Sequence, residues 1–283
     1  MMTIGLVGAG HMGSGLGWAL REGGHEVVTT LTRRSARTAR LVAEAGVTTL
    51  ADLNAVVEAA DVLLVVTPPA SAEAAAREIA ATSTDARPLV ADLNAIAPST
   101  VERVGATLRR ADFDLVDGAI SGPPPTVRPG ASIFLSGPAA PTVAGLAWRH
   151  VDPVLVGEAV GAASAVKMST ASVYKGVTAV LTQALRAARH HGVTEHVLAD
   201  LARAGIEPAH DIAVSARKAW RFVAEMREIA VTQRAAGLPG ELFEAMALVY
   251  EELARTELAA GDPETVDTAP PDRVIALLTA RSG

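Results

Sequence analysis

A glycine-rich turn near the N-terminus constrains the fold of this chain more than any other segment. Gly8, Gly10 and Gly13 match the pattern G-x-G-x-x-G, and a short apolar run over residues 4–7 precedes them. A helix is predicted directly after them, over residues 12–21. In this strand–turn–helix context the pattern is typical of turns that place the phosphates of a dinucleotide at a helix N-terminus.

Each glycine has its own role in such a turn. Gly8 permits the tight turn, Gly10 lets the backbone approach a pyrophosphate, and Gly13 lets the helix pack closely on the strand. The helix N-terminus adds free N–H groups and a partial positive charge. A plain tight turn without a ligand is the alternative. The predicted phosphate-binding residues are Gly8, Ala9, Gly10, His11, Met12 and Gly13.

Residues 1–157 alternate short apolar runs with alanine-rich stretches. The runs are continuous and do not alternate with polar residues, as in strands that are covered on both faces. Helical spacers between such strands build βαβ units. We therefore predict an α/β Rossmann domain over residues 1–157, with a doubly wound, mainly parallel sheet. Its strands are predicted over residues 4–7, 27–31, 62–66, 89–91, 115–116, 133–135 and 154–156.

The pattern changes after residue 157, and we predict an all-α domain over residues 158–283 that begins with a long interdomain helix. That helix is apolar on most faces, and a helix that is hydrophobic all round must be buried all round. A small helical domain hardly buries it alone, so we predict a homodimer through the C-terminal helices. Burial within one chain is the alternative. Helices are predicted over residues 162–191, 195–204, 209–235, 241–260 and 272–280, with a loop over 261–271.

Composition excludes several classes of function. Apolar residues make up 49% of the chain and charged residues 20%, which rules out wholesale disorder. The formal net charge of −6 disfavours binding to nucleic acid or to an anionic membrane. Cysteine is absent, so thiolate chemistry is excluded, and no histidine has metal-ligand spacing, so no metal is expected. No uncharged stretch is long enough for a membrane span, and the expected location is the cytoplasm.

The residues after the second strand bear on the choice of nucleotide. An NAD site usually has Asp or Glu there to bind the ribose hydroxyls. This chain has Thr32, Arg33, Arg34 and Ser35 instead. Because arginine binds phosphate and stacks on adenine, these four residues are predicted to bind cofactor, with NADP(H) preferred over NAD(H). The alternative is that the arginines only form a solvated helix face.

Two further loops are predicted at the carboxyl edge of the sheet, where open α/β sheets bind ligands. Thr67 and Pro68 end the strand over residues 62–66, and Asn94 follows the strand over residues 89–91. We predict that these three residues contact the cofactor, with Asn94 at the ribose or the nicotinamide amide. Ordinary turn chemistry or helix capping is the alternative for Thr67 and Asn94.

Candidate reaction residues lie in two segments. Ser121, Gly122 and Pro123 end a predicted strand in a loop whose hydroxyl and N–H groups suit a carboxylate. Lys167 lies among apolar residues of the long helix, where desolvation suits a lysine to proton transfer. Tyr174 follows on nearly the same helix face, in reach of the same pocket. A surface turn and a lysine that extends to solvent are the structural alternatives.

The order and spacing of these motifs resemble those of the β-hydroxyacid dehydrogenases, relatives of 6-phosphogluconate dehydrogenase. The resemblance implies a Rossmann domain, an all-helical domain, and NAD(P)-dependent oxidation of a small 3-hydroxy acid or the reverse reduction. By matching position, Ser121 and Gly122 would bind the substrate carboxylate and Lys167 would be the general acid/base. The segments that carry the resemblance are residues 8–13, 67–68, 92–98, 117–122 and 161–167.

The chain departs from this family at two positions and resembles a less characterised branch of it. Pro123 stands where the family often has glycine, which removes one backbone donor, and Ala171 stands where it often has asparagine. The missing contact is then lost or moved to Ser164, Thr170 or Tyr174. Two alternatives stay open: an imine reductase that reduces C=N with NADPH, and a nucleotide-binding sensor without turnover.

Overall fold

The computed structural model describes residues 1–261 and 270–278 of the chain. Two compact units follow one another, Met1–Met168 and Ser169–Gly283, and the boundary between them falls inside one long helix. The division into functional domains at residues 157 and 158 stays a prediction. No helix in the described ranges is both long and apolar enough to cross a bilayer.

The first unit is built on one eight-stranded sheet. Its strands are β1 (Thr3–Val7), β2 (Glu26–Thr30), β3 (Thr48–Leu50), β4 (Val62–Val65), β5 (Leu89–Asp92), β6 (Leu115–Ser121), β7 (Ala131–Ser136) and β8 (Val151–Gly157). Their order in the sheet is β3-β2-β1-β4-β5-β6-β7-β8. All neighbouring pairs are parallel except β6 with β7. The predicted mainly parallel sheet is confirmed.

Helices cover both faces of this sheet, so the fold is doubly wound as predicted. Along β4, Val62 and Leu64 pack in one hydrophobic cluster with α1, while Leu63 and Val65 pack in another with α3, α4 and α5. Burial on both faces explains why the strands are continuous apolar runs. The helices are α1 (His11–Glu22), α2 (Ala36–Glu44), α3 (Leu53–Ala59), α4 (Ala72–Ala80), α5 (Pro98–Arg109) and α6 (Ala140–Ala144).

The long helix α7 spans Ala162–His190, close to its predicted bounds. The alternative that a single chain buries this helix on all sides is wrong. Three of its apolar side chains are more than half exposed: Val173 at 60%, Val177 at 52% and Val180 at 56%. Their spacing of four and three residues places them on one face of the helix. That face is apolar and exposed in the single chain.

The rest of the described second unit is helical. Two predicted helices differ from the structure. The helix predicted over residues 209–235 is divided at Lys218, whose N–H donates to the carbonyl oxygen of Ser215 in a turn. The helix predicted over residues 241–260 ends at Leu253. Residues 279 and 280 of the last predicted helix, and residues 262–269 of the predicted loop, lie outside the described residues. The helices are α8 (Thr194–Arg203), α9 (Pro208–Ala216), α10 (Ala219–Ala235), α11 (Glu241–Leu253) and α12 (Pro271–Leu277).

Candidate functional site

The glycine-rich turn joins β1 to α1 and has the geometry that a phosphate requires. Gly8 has a positive φ of 96°, and a Cβ there would lie 2.3 Å from the carbonyl oxygen of Val66. A Cβ on Gly13 would lie 2.1 Å from the carbonyl oxygen of Gly8. A Cβ on Gly10, by contrast, would meet no heavy atom within 4 Å. Gly8 and Gly13 therefore close the turn, while Gly10 faces open space at the helix N-terminus.

Ala9, His11 and Met12 complete this turn. Ala9 is buried, and His11 and Met12 are half-buried at the start of α1. Gly10 is the N-cap of α1 and has no side chain to satisfy the first N–H groups of the helix. The turn therefore offers backbone donors and a partial positive charge, which fit the pyrophosphate of a dinucleotide.

The segment after β2 presents two exposed arginines. Arg33 has a positive φ of 58°, within a turn that the N–H of Arg34 closes on the carbonyl oxygen of Leu31. Thr32 donates its hydroxyl to the carbonyl oxygen of Ala51 over 3.0 Å, and Ser35 accepts from the N–H of Thr38 at the start of α2. The two hydroxyls thus support the local fold, while the two guanidiniums face solvent and suit an anionic ligand.

Asn94 joins the ends of β4 and β5. Its side-chain oxygen accepts from the N–H of Thr67 at 2.6 Å, and its amide nitrogen donates to Asp92 Oδ2 at 3.0 Å. Asn94 is buried and Pro68 is exposed. The turn chemistry weighed as an alternative is therefore present at Thr67 and Asn94, and contact of these residues with the cofactor stays a prediction.

Asp92 is a buried carboxyl beneath this loop, and the sequence reasoning missed its role. The pKa of Asp92 is raised from its usual 3.8 to about 7, chiefly by burial and also by the charge of Asp117, against the lowering effect of two hydrogen bonds from Asn94. Asp117 is the Cα partner of Asp92 on the neighbouring strand β6. Two carboxyl groups therefore lie on neighbouring parallel strands, Asp92 at the carboxyl end of β5 and Asp117 within β6.

The Ser121 loop follows β6 and packs on α1. Gly122 has a positive φ of 120°, and a Cβ there would lie 2.7 Å from the carbonyl oxygen of Gly130. A Cβ on Gly15 of α1 would lie 3.1 Å from Pro125 Cδ. Ser121 and Pro123 are half-buried and Gly122 is exposed. The predicted carboxylate-binding loop therefore lies against the helix that begins at the glycine-rich turn.

Lys167 is half-buried, and its Nζ donates a hydrogen bond of 2.8 Å to the carbonyl oxygen of Ile120. Ile120 directly precedes Ser121, so the structure brings together two segments that are far apart in sequence. Tyr174 belongs to the second unit and is 70% exposed, and its contact with substrate stays a prediction. Ser164 is fully buried, which argues against it as a replacement substrate contact.

Asp117 holds the start of α7 and was also missed as a site residue. Its carboxylate accepts hydrogen bonds from the N–H groups of Gly161 and Ser164 and from the hydroxyls of Ser136 and Ser164, at 2.7 to 3.1 Å. It is 0% exposed. A carboxylate within a buried strand was the available signal, because such a group is rare there unless it is hydrogen-bonded.

The glycine-rich turn and the doubly wound parallel sheet define a Rossmann dinucleotide-binding protein. The chain belongs to the family described as the NAD binding domain of 6-phosphogluconate dehydrogenase, whose model matches residues 3–169. Residues 188–253 match a domain of unknown function, DUF1932. A search of the curated proteins gave no significant match. No group of three or more His, Asp or Glu side chains in the described ranges is arranged to hold a metal ion.

Solved structures of similar fold include both dehydrogenases and imine reductases. The conserved protein MTH1747, reported as structurally similar to 3-hydroxyacid dehydrogenases, is 28% identical with a TM-score of 0.65, over 89% of this chain and 96% of its own. Mycobacterium tuberculosis 3-hydroxyisobutyrate dehydrogenase, solved with L-serine, is 20% identical with a TM-score of 0.65, over 99% and 100%. An imine reductase variant from Myxococcus stipitatus, solved with NAD+, is 19% identical with a TM-score of 0.54, over 89% and 93%. The chain therefore has the fold of a hydroxyacid dehydrogenase.

Proposed function

We propose that the protein is an NADP(H)-dependent oxidoreductase that interconverts a small 3-hydroxy acid and its carbonyl form. The observation that carries this proposal is the 2.8 Å hydrogen bond from Lys167 Nζ to the carbonyl oxygen of Ile120. It holds an amine beside Ser121 and Gly122 at the carboxyl end of β6. The carboxyl ends of β1, β4 and β5 lie along the same edge of the sheet, because β1, β4, β5 and β6 are consecutive parallel strands.

The residues divide the chemistry as follows. The Ser121 hydroxyl and the Gly122 N–H bind the substrate carboxylate and orient the carbon that reacts. A bound nicotinamide would supply the hydride chemistry at that carbon. During oxidation the neutral Lys167 amine takes the hydroxyl proton, and during reduction the Lys167 ammonium returns a proton to the carbonyl oxygen. Ile120 keeps the amine at this position through its carbonyl oxygen.

The preference for NADP(H) over NAD(H) is also a proposal. It rests on the exposed guanidiniums of Arg33 and Arg34, which follow β2 in a segment without a carboxylate. The end of this strand is where Rossmann proteins read the 2′ substituent of the adenosine ribose. A 2′-phosphate would bind both guanidiniums by charge-assisted hydrogen bonds.

We also propose a homodimer that forms through the C-terminal helices. The exposed apolar face of α7, with Val173, Val177 and Val180, supports it. A second copy would bury these side chains. The cytoplasm remains the expected location. Light scattering gives the molar mass of the purified protein and of a Val177→Glu variant. We expect a dimer for the wild type and a monomer for the variant, because the glutamate places a charge in the apolar interface.

Imine reduction is the second candidate. Ala171 is buried on α7 at the position where the resembled family often has asparagine, and Pro123 offers no N–H to a carboxylate. Both features weaken the case for a hydroxy acid. The fold likeness to imine reductase shows only that this chemistry occurs on the same architecture.

A substrate panel tests the proposal. The probes are 3-hydroxyisobutyrate and L-serine with NADP+, and cyclic imines with NADPH, followed by the absorbance of the reduced nicotinamide. We expect hydroxy-acid oxidation that depends on Lys167. Turnover of imines alone would favour the second candidate, whereas NADPH binding without turnover of any probe would favour a sensor.

A further inference from the structure

We propose that Asp117 is a positioning residue, which sets the place of the Lys167 amine by fixing the N-terminus of α7. The inference rests on the proposed function in that it takes Lys167 as the acid/base. It extends that function because Asp117 is fully buried and has no access to substrate. Asp117 therefore acts through the helix that carries the lysine.

The sheet satisfies the first donors of α7. Asp117 on β6 accepts from the N–H groups of Gly161 and Ser164, and Ser136 on β7 accepts from the N–H of Ala163 at 3.0 Å. Ser136 also donates its hydroxyl to Asp117. A helix leaves its first N–H groups without partners of its own, so these bonds fix the position and the rotation of the first turns of α7, up to Met168, on the sheet.

Two hydrogen-bonded contacts, called anchors below, join β6 to the start of α7. Asp117 binds Ser164, and Ile120, three residues further along β6, binds Lys167, three residues further along α7. Both anchors belong to the first compact unit. A shift of α7 at the Asp117 anchor would therefore move the Lys167 amine away from Ile120 and from the neighbouring Ser121.

The negative charge of the Asp117 carboxylate suits it to hold the N-terminus of α7. The two carboxylate oxygens take four hydrogen bonds, three of them on Oδ2 and one on Oδ1. An amide of the same shape keeps one oxygen but turns the other acceptor into a donor. The positive end of the helix dipole also favours a carboxylate over an amide. Asp117→Asn thus perturbs the anchor with little change in volume.

Lysine resonances give a readout that needs no substrate. The chain has three lysines, Lys167, Lys175 and Lys218, so selective 13Cε labelling yields three lysine signals. We expect Ser164→Ala, which removes one bond to Asp117, and Asp117→Asn to shift the Lys167 signal and leave the Lys175 signal in place. The matched control is Ser172→Ala on the same helix, whose hydroxyl bonds only locally to Ser169, and it should shift neither.

Turnover completes the test. Because a misplacement of about 1 Å costs about 100-fold in rate, we expect kcat to fall about 100-fold in Asp117→Asn and several-fold in Ser164→Ala, with little change in the Kd of NADPH. Ser164→Ala keeps the three bonds on Asp117 Oδ2 and should fold with a modest fall in thermal midpoint, so the result does not depend on whether Asp117→Asn folds.

The outcomes separate the two proposals. Full turnover by a Lys167 variant overturns the proposed function, and the lysine signals then still decide whether Asp117 fixes the amine. A Lys167 signal that stays in place in both variants overturns the positioning role. So does wild-type kcat in both variants when a Lys167 variant has lost activity.

Discussion

Lys167 Nζ and the carbonyl oxygen of Ile120 are 2.8 Å apart, and the bond between them joins α7 to the last residues of β6. These two residues are far apart in sequence, yet the bond brings the amine next to Ser121. The acceptor is a backbone oxygen of a sheet strand, so its position is set by the strand.

We expect Lys167→Met to lower kcat by about 100- to 10,000-fold, the usual contribution of a positioned acid/base. Methionine keeps most of the length of the side chain but has no proton to transfer. The Kd of NADPH, measured by fluorescence titration, should not change. Lys218→Met is the control, since it also removes a lysine amine but from the turn before α10, which is not among the segments assigned to the site. A kcat within about two-fold of wild type would contradict the acid/base role.

Alanine substitutions at two glycines of the glycine-rich turn should affect nucleotide binding and folding stability separately. Gly10→Ala adds a methyl group where no heavy atom lies within 4 Å, so the thermal midpoint should be unchanged while NADPH binding weakens at least about ten-fold, since the methyl group blocks the approach of the pyrophosphate. Gly13→Ala places a Cβ 2.1 Å from the carbonyl oxygen of Gly8 and should lower the thermal midpoint. Equal NADPH affinity in Gly10→Ala and wild type would argue against a phosphate at this turn.

Arg33→Ala and Arg34→Ala should each weaken NADPH and leave NADH unchanged. A hydrogen bond to a charged group is worth about 1.5–3 kcal/mol, which corresponds to roughly 10- to 100-fold in Kd. Arg40→Ala is the control, because Arg40 is an exposed arginine of α2 that pairs with Glu44. If the wild type binds NADH as tightly as NADPH, the proposed preference is wrong.

Asp92 should make the fold less stable as the pH rises. Its pKa is raised from 3.8 to about 7 in the folded chain, so the folded state binds more protons than the unfolded state over this range. Stability then falls from pH ~4 to pH ~7 and levels off above it, with a total change of a few kcal/mol from this group. Chemical unfolding at pH 5 and pH 8 measures the change.

The asparagine side chain of Asp92→Asn does not titrate, so the free energy of unfolding of this variant should not show the fall between pH 5 and pH 8. This expectation does not depend on how stable the variant is at any one pH. Asp52→Asn is the control, since Asp52 is an exposed N-cap of α3 that asparagine replaces well. The same pH dependence in wild type and Asp92→Asn would show that the fold does not protonate this carboxyl.

Local sequence patterns predicted the glycine-rich turn and the mainly parallel sheet, but they missed the strand β3 and the antiparallel direction of β7 against β6. β3 (Thr48–Leu50) has no continuous apolar run, because its residues lie largely exposed at the sheet edge. The antiparallel pairing of β6 with β7 could have been inferred from the short connection over residues 122–130, since parallel strands need a longer crossover.

The candidate site was predictable where a motif is contiguous and not where partners are distant. Gly8–Gly13 and Ser121–Gly122 are local patterns. The role of Asp117 depends on residues 44 and 47 positions away, Gly161 and Ser164, which no local spacing encodes. The carboxylates at the ends of two apolar runs were nevertheless a signal, because a carboxyl group inside a buried strand needs hydrogen-bond donors.

Lys175 and Glu225 form a buried ion pair in the helical unit, with Nζ and Oε1 2.6 Å apart and side chains 16% and 7% exposed. Lys175 also lies over the Phe222 ring, and the Tyr250 hydroxyl donates to its backbone carbonyl oxygen at 2.8 Å. Loss of the Lys175 ammonium removes the ion pair of the buried Glu225 carboxylate. We expect Lys175→Met to lower the free energy of unfolding by about 3–5 kcal/mol.

The double variant Lys175→Met/Glu225→Leu should recover most of that loss, because apolar side chains often replace a buried pair at little cost. Chemical unfolding of both single variants and the double variant gives the coupling energy directly. Arg40→Ala removes an exposed pair with Glu44 and should cost less than about 1 kcal/mol. If the losses of the two single variants simply add in the double variant, the pair contributes no coupling, and its burial serves only to fill the space between α7 and α10.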